Sequence, residues 1–133
     1  MTPIPVATAL IIKDRKVLMC QRRENKLYPL YWEFPGGKLE QGETPFQALQ
    51  RELSEELVIT VSEAEEWFED TMTYSNALTY HVTFFLVRDF EGVLVNTEFN
   101  SVNWFRAEDL DFIQQLPGNL NILEKIAAEG LPA

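Results

Sequence analysis

The stretch from Thr44 to Leu57 constrains this chain more than any other. Thr44-Pro45-Phe46-Gln47 places a threonine N-cap before a proline at the first helical position, with a glutamine set to bond back to the cap. At about 100° per residue, Phe46, Leu49, Leu53 and Leu57 form one apolar stripe, which needs an apolar surface to cover it. Strands must supply that surface. Alternation over Pro5–Ile12 predicts a first strand, Lys13-Asp14-Arg15-Lys16 a turn, and Val17–Gln21 an antiparallel partner. Residues 22–31 read as a charged, aromatic loop, and Trp32-Glu33-Phe34 as a short strand stopped by Pro35-Gly36-Gly37. Further strands are expected at Trp67–Thr73, Leu78–Arg88 and Val102–Phe105, with a turn at Asp89–Gly92 and a last helix over Asn119–Ala128. This order predicts an α+β fold with a mixed β-sheet packed by helices.

A single domain, residues 1–133, is expected, because that length buries a core without disulfides and no repeat or linker interrupts it. Cys20 is the sole cysteine, which excludes an intrachain disulfide and a multi-cysteine zinc site; within Val17-Leu18-Met19-Cys20 it reads as a buried, inert thiol. A net charge of −10 repels polyanions and argues against stable nucleic-acid binding. No apolar run is long enough for a membrane span, and Met1–Val6 has no basic n-region, so a soluble, cytoplasmic protein is expected.

Glu52, Glu55 and Glu56 occupy an arc of about 100° beside the apolar stripe. Like charges at this spacing repel, although Arg51 can relieve them through Glu55 or Glu43. Such an arc is either a solvated acidic face or an oxygen-rich site for a hard cation, which commonly shares its shell with phosphates. Gly36-Gly37-Lys38 just upstream favours the second reading, since absent side chains let backbone approach a ligand.

Gly37, five residues, Glu43, seven residues, then Arg51-Glu52-Leu53-Ser54-Glu55-Glu56-Leu57-Val58-Ile59 resembles the Nudix box at every position but one. The exception is Val58, where the family has glycine, and a β-branched residue there predicts an altered helix exit. The resemblance implies a Nudix-type α/β/α sandwich and an Mg²⁺- or Mn²⁺-dependent hydrolase of phosphorus anhydrides in nucleotides. It implies Glu52, Glu55 and Glu56 as metal ligands, with the Gly37 carbonyl beside them, and Glu43 and Arg51 as a structural brace. On the same resemblance either Glu52 or Glu98 would take the general-base role, with Glu98 also near the metal or else a plain exposed loop acid, and Lys38 and Arg23 would contact phosphates.

Gln21-Arg22-Arg23, the run Trp32–Lys38, Glu98, Trp104 and Pro117-Gly118-Asn119 extend the likeness to MutT-type enzymes. These convert 8-oxo-dGTP to the monophosphate and pyrophosphate. Asn119 would read the purine by donating to O6 and accepting from N7–H, a pairing that unoxidised guanine cannot return. Asn119 as a plain N-cap, and Asn121 as reader, are the alternatives. Phe34, Tyr80 and Val6 are candidate walls of the base pocket, whereas His81 reads as an ordinary strand residue. The rival substrates are a pyrimidine triphosphate and a nucleotide sugar, and the rival class is a non-catalytic binding module. A small-molecule nucleotide is the expected partner, and a monomer or weak homodimer the expected state.

Overall fold

The computed structural model describes residues 2–74 and 76–133; Met1, which opens the N-terminal run, lies outside them. The strands are β1 (Ile4–Lys13), β2 (Lys16–Gln21), β3 (Trp32–Glu33), β4 (Gly36–Lys38), β5 (Glu65–Thr73), β6 (Thr79–Val87) and β7 (Ser101–Arg106). The helices are α1 (Pro45–Leu57) and α2 (Leu120–Glu129), with 3-10 turns at Ala107–Phe112 and Pro117–Asn119. The sheet runs β3-β2-β1-β6-β5, with β4 also on β1 and β7 also on β2. Parallel pairing of β1 with β6, from Ile4 opposite Tyr80 to Ile11 opposite Val87, makes it a mixed sheet.

Helices cover both faces, so side-chain alternation along the central strands feeds two cores. Ala7, Ala9, Ile11, Phe85 and Val87 pack with Leu49, Leu53 and Leu57 of α1. Leu10, Ile12, Phe84 and Leu86 face the other way, onto Ile122 and Ile126 of α2. This is the expected α/β/α sandwich, and it explains why burial is continuous from Ala7 to Ile12 rather than alternating. Cys20 is buried and free, and burial pushes its thiol up, with the Glu56 and Glu33 charges adding to this. His81 sits on β6 against the Thr71 hydroxyl at 2.9 Å. Among the described residues no helix is long and apolar enough to cross a membrane.

Two local readings are corrected. Gly36–Lys38 is a strand of its own rather than the mere stop of the preceding one, pairing Thr8 with Gly36 and Val6 with Lys38. The backbone that approaches Gly36 is β1 itself, since a Cβ there would lie 2.7 Å from the Thr8 Cα. The exit of α1 is also unaltered. Val58 adopts the left-handed conformation, φ 58° and ψ 36°, while its N–H bonds Ser54 and the Ile59 N–H reaches back to the Leu53 carbonyl. Two capping bonds hold a residue that is sterically unsuited to this conformation. Val58→Gly is therefore expected to stabilise the protein by about 0.5–1 kcal/mol, the relieved strain being partly offset by glycine's freedom in the unfolded chain. Because Val58 is 51% exposed, little packing is lost. A urea midpoint that does not rise would refute the strain.

Candidate active site

Helix α1 begins as its sequence demands. The Thr44 side chain accepts from the Gln47 N–H at 3.2 Å, and Gln47 accepts from the Thr44 N–H at 2.9 Å. One turn later Arg51 gathers the preceding loop. Its guanidinium holds Glu43 by two bonds of 2.8 and 2.9 Å and the Lys38 carbonyl at 3.0 Å. The Arg51 bond and the Glu40 N–H hold the Glu43 carboxyl below its usual range, and Glu43 in turn pushes Arg51 up. A bidentate pair of this kind fixes a planar geometry that a lysine would not.

The three glutamates of α1 have different surroundings. Glu52 lies inward, with its side chain 17% exposed, 2.9 Å from Arg51 and against Gly37, where a Cβ would come within 2.5 Å of its carboxylate. Burial raises it, opposed by Arg51. Glu56 accepts from the Gly36 N–H at 3.1 Å and is pushed up to about 9, first by burial and then by the Glu52 charge. Glu55 is 59% exposed and 3.4 Å from Arg51. Among the described residues no three acidic, cysteine or histidine side chains form a ready-made cation cage. On their shared helix face these mutually repelling carboxylates each take a local donor, Arg51 or the Gly36 N–H.

The donor set nevertheless suits a hard divalent ion. Among the described residues no cationic side chain is bonded to the shielded Glu56 carboxyl, and a metal would supply the missing counter-charge. Loop 96–100 brings a fourth acid alongside. Thr97 donates to the Glu55 carbonyl from its hydroxyl at 2.6 Å and to the Glu56 carbonyl from its N–H at 3.1 Å. Glu98 therefore sits close enough for its charge to raise both Glu56 and Glu33.

Next to these acids opens a cleft of about 370 Å³, which both Gly37 and Lys38 line. Val6, Phe34 and Tyr80, the candidate pocket residues, line it together with Tyr74 and Phe84. Phe34 meets Phe84 edge-on at 6.2 Å, and Tyr74 meets Tyr80 at 5.3 Å. Flat, rigid rings around a slot suit a nucleobase. Asn119 also lines the cleft and is 7% exposed. It makes no cap bond; its Nδ2 donates to the Gln115 Oε1 at 2.8 Å. Asn121 is turned away, donating to the Asp70 carboxylate at 3.1 Å.

The arginine of the cleft is Arg22, while Arg23 is exposed outside its lining. The Arg22 N–H bonds the Tyr31 carbonyl and so continues the hairpin, bringing its guanidinium 3.0 Å from Glu33. Burial raises Glu33, with Arg22 opposing. Sequence reasoning missed this pair. The signal was an acid between two aromatics on a strand, which parity sets on the opposite face from Trp32 and Phe34.

Carboxylates held beside a glycine strand at the edge of an aromatic slot suit a phosphorylated nucleoside and its cation. The NUDIX domain family model matches residues 2–126, and the chain belongs to that family as a MutT-like Nudix hydrolase. It is similar to the CTP pyrophosphohydrolase of Escherichia coli K12, 34% identical over 96% of this chain and 94% of that protein. The 8-oxo-dGTP diphosphatase of Haemophilus influenzae is 32% identical over 95% of this chain and 93% of its own length. The solution structure of the E. coli ORF135 protein superposes with a TM-score of 0.86 at 32% identity, covering 100% of this chain and 96% of that one. The family comprises nucleotide pyrophosphohydrolases, and its members generally use divalent metal ions.

Proposed function

We propose that this chain hydrolyses a nucleoside triphosphate to the monophosphate and pyrophosphate, with 8-oxo-dGTP or a related oxidised purine nucleotide preferred. Asn119 carries this reading: a buried carboxamide in the cleft wall, free of any capping role. Among the described residues nothing donates to its Oδ1, and no side-chain oxygen there is both sealed from solvent and unpaired, which leaves Oδ1 an open acceptor on a residue that lines the cleft. An acceptor at that point suits the N7–H created by oxidation at C8 and repels the N7 lone pair of ordinary guanine.

In this reading Glu52, Glu55, Glu56 and the Gly37 carbonyl would hold Mg²⁺ or Mn²⁺, with Glu98 beside them. A bound ion there would neutralise phosphate charge and lower the pKa of the attacking water. Glu52 or Glu98 would accept that water's proton. Lys38 contacts the phosphates together with Arg22, the role first expected of Arg23. Glu43 and Arg51 keep the β4 loop and α1 in register and touch no substrate. A net charge of −10 accords with a small-molecule nucleotide as partner and with the absence of stable nucleic-acid binding.

One observation favours a second substrate. Cytosine offers its exocyclic N4–H to the same oxygen, and one of the similar proteins is a CTP pyrophosphohydrolase. Turnover of 8-oxo-dGTP, dGTP, CTP, dCTP and ADP-ribose with Mg²⁺, measured as the nucleoside monophosphate released, with pyrophosphate as the co-product of the triphosphates and ribose 5-phosphate that of ADP-ribose, separates the readings. The expected kcat/KM for 8-oxo-dGTP exceeds that for dGTP by about tenfold or more, the worth of one matched base contact. Preference for CTP or dCTP would establish the second reading, and preference for dGTP or ADP-ribose would sink both.

A further inference from the structure

The polarity of Asn119 is set outside the cleft. Gln115 Nε2 donates to the Leu110 carbonyl at 3.3 Å, and a carbonyl can only accept. The Gln115 amide is thereby turned so that Oε1 faces Asn119, which must answer with Nδ2, at 2.8 Å. The second Nδ2 hydrogen points to another obligate acceptor, the Trp32 carbonyl at 3.5 Å. The residue that starts this relay is itself clamped. Gln115 bridges Trp32 in parallel fashion, the Trp32 N–H bonds the Gln114 carbonyl at 2.7 Å, and the Leu116 N–H bonds the Trp32 carbonyl at 3.0 Å.

We propose that Gln115 is a specificity-determining residue that never touches substrate: it locks the Asn119 carboxamide so that an acceptor alone faces the nucleobase. The inference rests on the functional reading above and holds for both of its substrates. With Nδ2 committed, the site selects bases that present a donor, the N7–H of an 8-oxopurine or the N4–H of cytosine. It disfavours bases that present only acceptors there, guanine through O6 and N7 and uracil through O4. The bidentate reading of 8-oxoguanine, with Nδ2 on O6, would need this lock broken. Selection is by mismatch, because an acceptor set against Oδ1 leaves two lone pairs opposed and a buried group unpaired.

The test is a double-mutant cycle read as selectivity. Gln115→Leu frees the amide to rotate and present Nδ2, so the kcat/KM ratio of 8-oxo-dGTP over dGTP, and of CTP over UTP, is expected to fall about tenfold. In an Asn119→Asp background both side-chain oxygens accept whichever way they turn, and Gln115→Leu is expected to leave both ratios within about twofold. Thermal melting of each variant reports folding separately. Ratios unmoved by Gln115→Leu in the native background, or lowered equally in both backgrounds, would overturn the role of Gln115 while leaving the activity standing. Wild-type protein inactive on all four nucleotides would overturn the functional reading and this inference with it.

Discussion

Glu56→Gln is expected to cut metal-dependent hydrolysis by about a thousandfold while leaving the fold intact, the scale on which one preorganised electrostatic group acts. Glu56 is shielded, bonded to the Gly36 N–H and pushed up to about 9 by burial and the neighbouring Glu52. Its charge is therefore costly unless a cation answers it, and an amide of the same shape removes both the cost and the ligand. The sign of the accompanying pH effect follows. In acid below the ordinary carboxylate range Glu56 is protonated in the folded and unfolded chain alike. Between that range and pH 9 the unfolded chain has lost the proton that the folded chain keeps, so metal-free stability falls as pH rises. Glu56→Gln is expected to flatten this slope and to raise the melting temperature of the metal-free protein at pH 8. Glu55→Gln is expected to lose activity comparably without that gain, because Glu55 is 59% exposed. Turnover with Mg²⁺ and melting at pH 6 and pH 8 check both. Unchanged turnover in Glu56→Gln would refute its proposed role as a ligand.

The scaffold of this site was legible because its signals are local. Thr44, Pro45 and Gln47 start α1 by capping geometry that depends on no other part of the chain, and the Phe46–Leu57 stripe names its buried face. What stayed hidden depends on partners far away in sequence. Gly36–Lys38 reads as a breaker because glycine weakens isolated strands, yet β1 imposes extended pairing on it from thirty residues upstream. Glu33 and Arg22 are surface charges by composition, and the β2–β3 register makes them a partly buried pair. Gln115 has no sequence signature at all, since its importance lies in the Leu110 carbonyl on one side and Asn119 on the other. Val58 is the reverse case. Propensity argued correctly that valine is unfavourable in the left-handed region, but two capping bonds outweigh that cost.

The two adjacent glycines of β4 should respond differently to the same added methyl group. At Gly36 (φ +147°) a Cβ would collide with the Ala7 carbonyl and the Thr8 Cα, both backbone atoms of β1. Strand β1 cannot retreat, since Ala7 and Thr8 are also paired with Thr83 and Phe84 of β6. Strand β4 must therefore pull away, and the Gly36 N–H that holds Glu56 goes with it. Gly36→Ala is expected to cost about 2–4 kcal/mol in stability and to lose nearly all activity. At Gly37 the obstruction is the carboxylate end of Glu52, 2.5 Å from the added atom, which can swing aside. Gly37→Ala is expected to cost less than about 1 kcal/mol in stability, yet to lower hydrolysis about a hundredfold by displacing Glu52 from its inward position. Urea unfolding paired with kcat separates the cases. Equal destabilisation by both variants would show that neither glycine position tolerates a side chain, and full activity in Gly37→Ala would remove Glu52 from the catalytic arrangement.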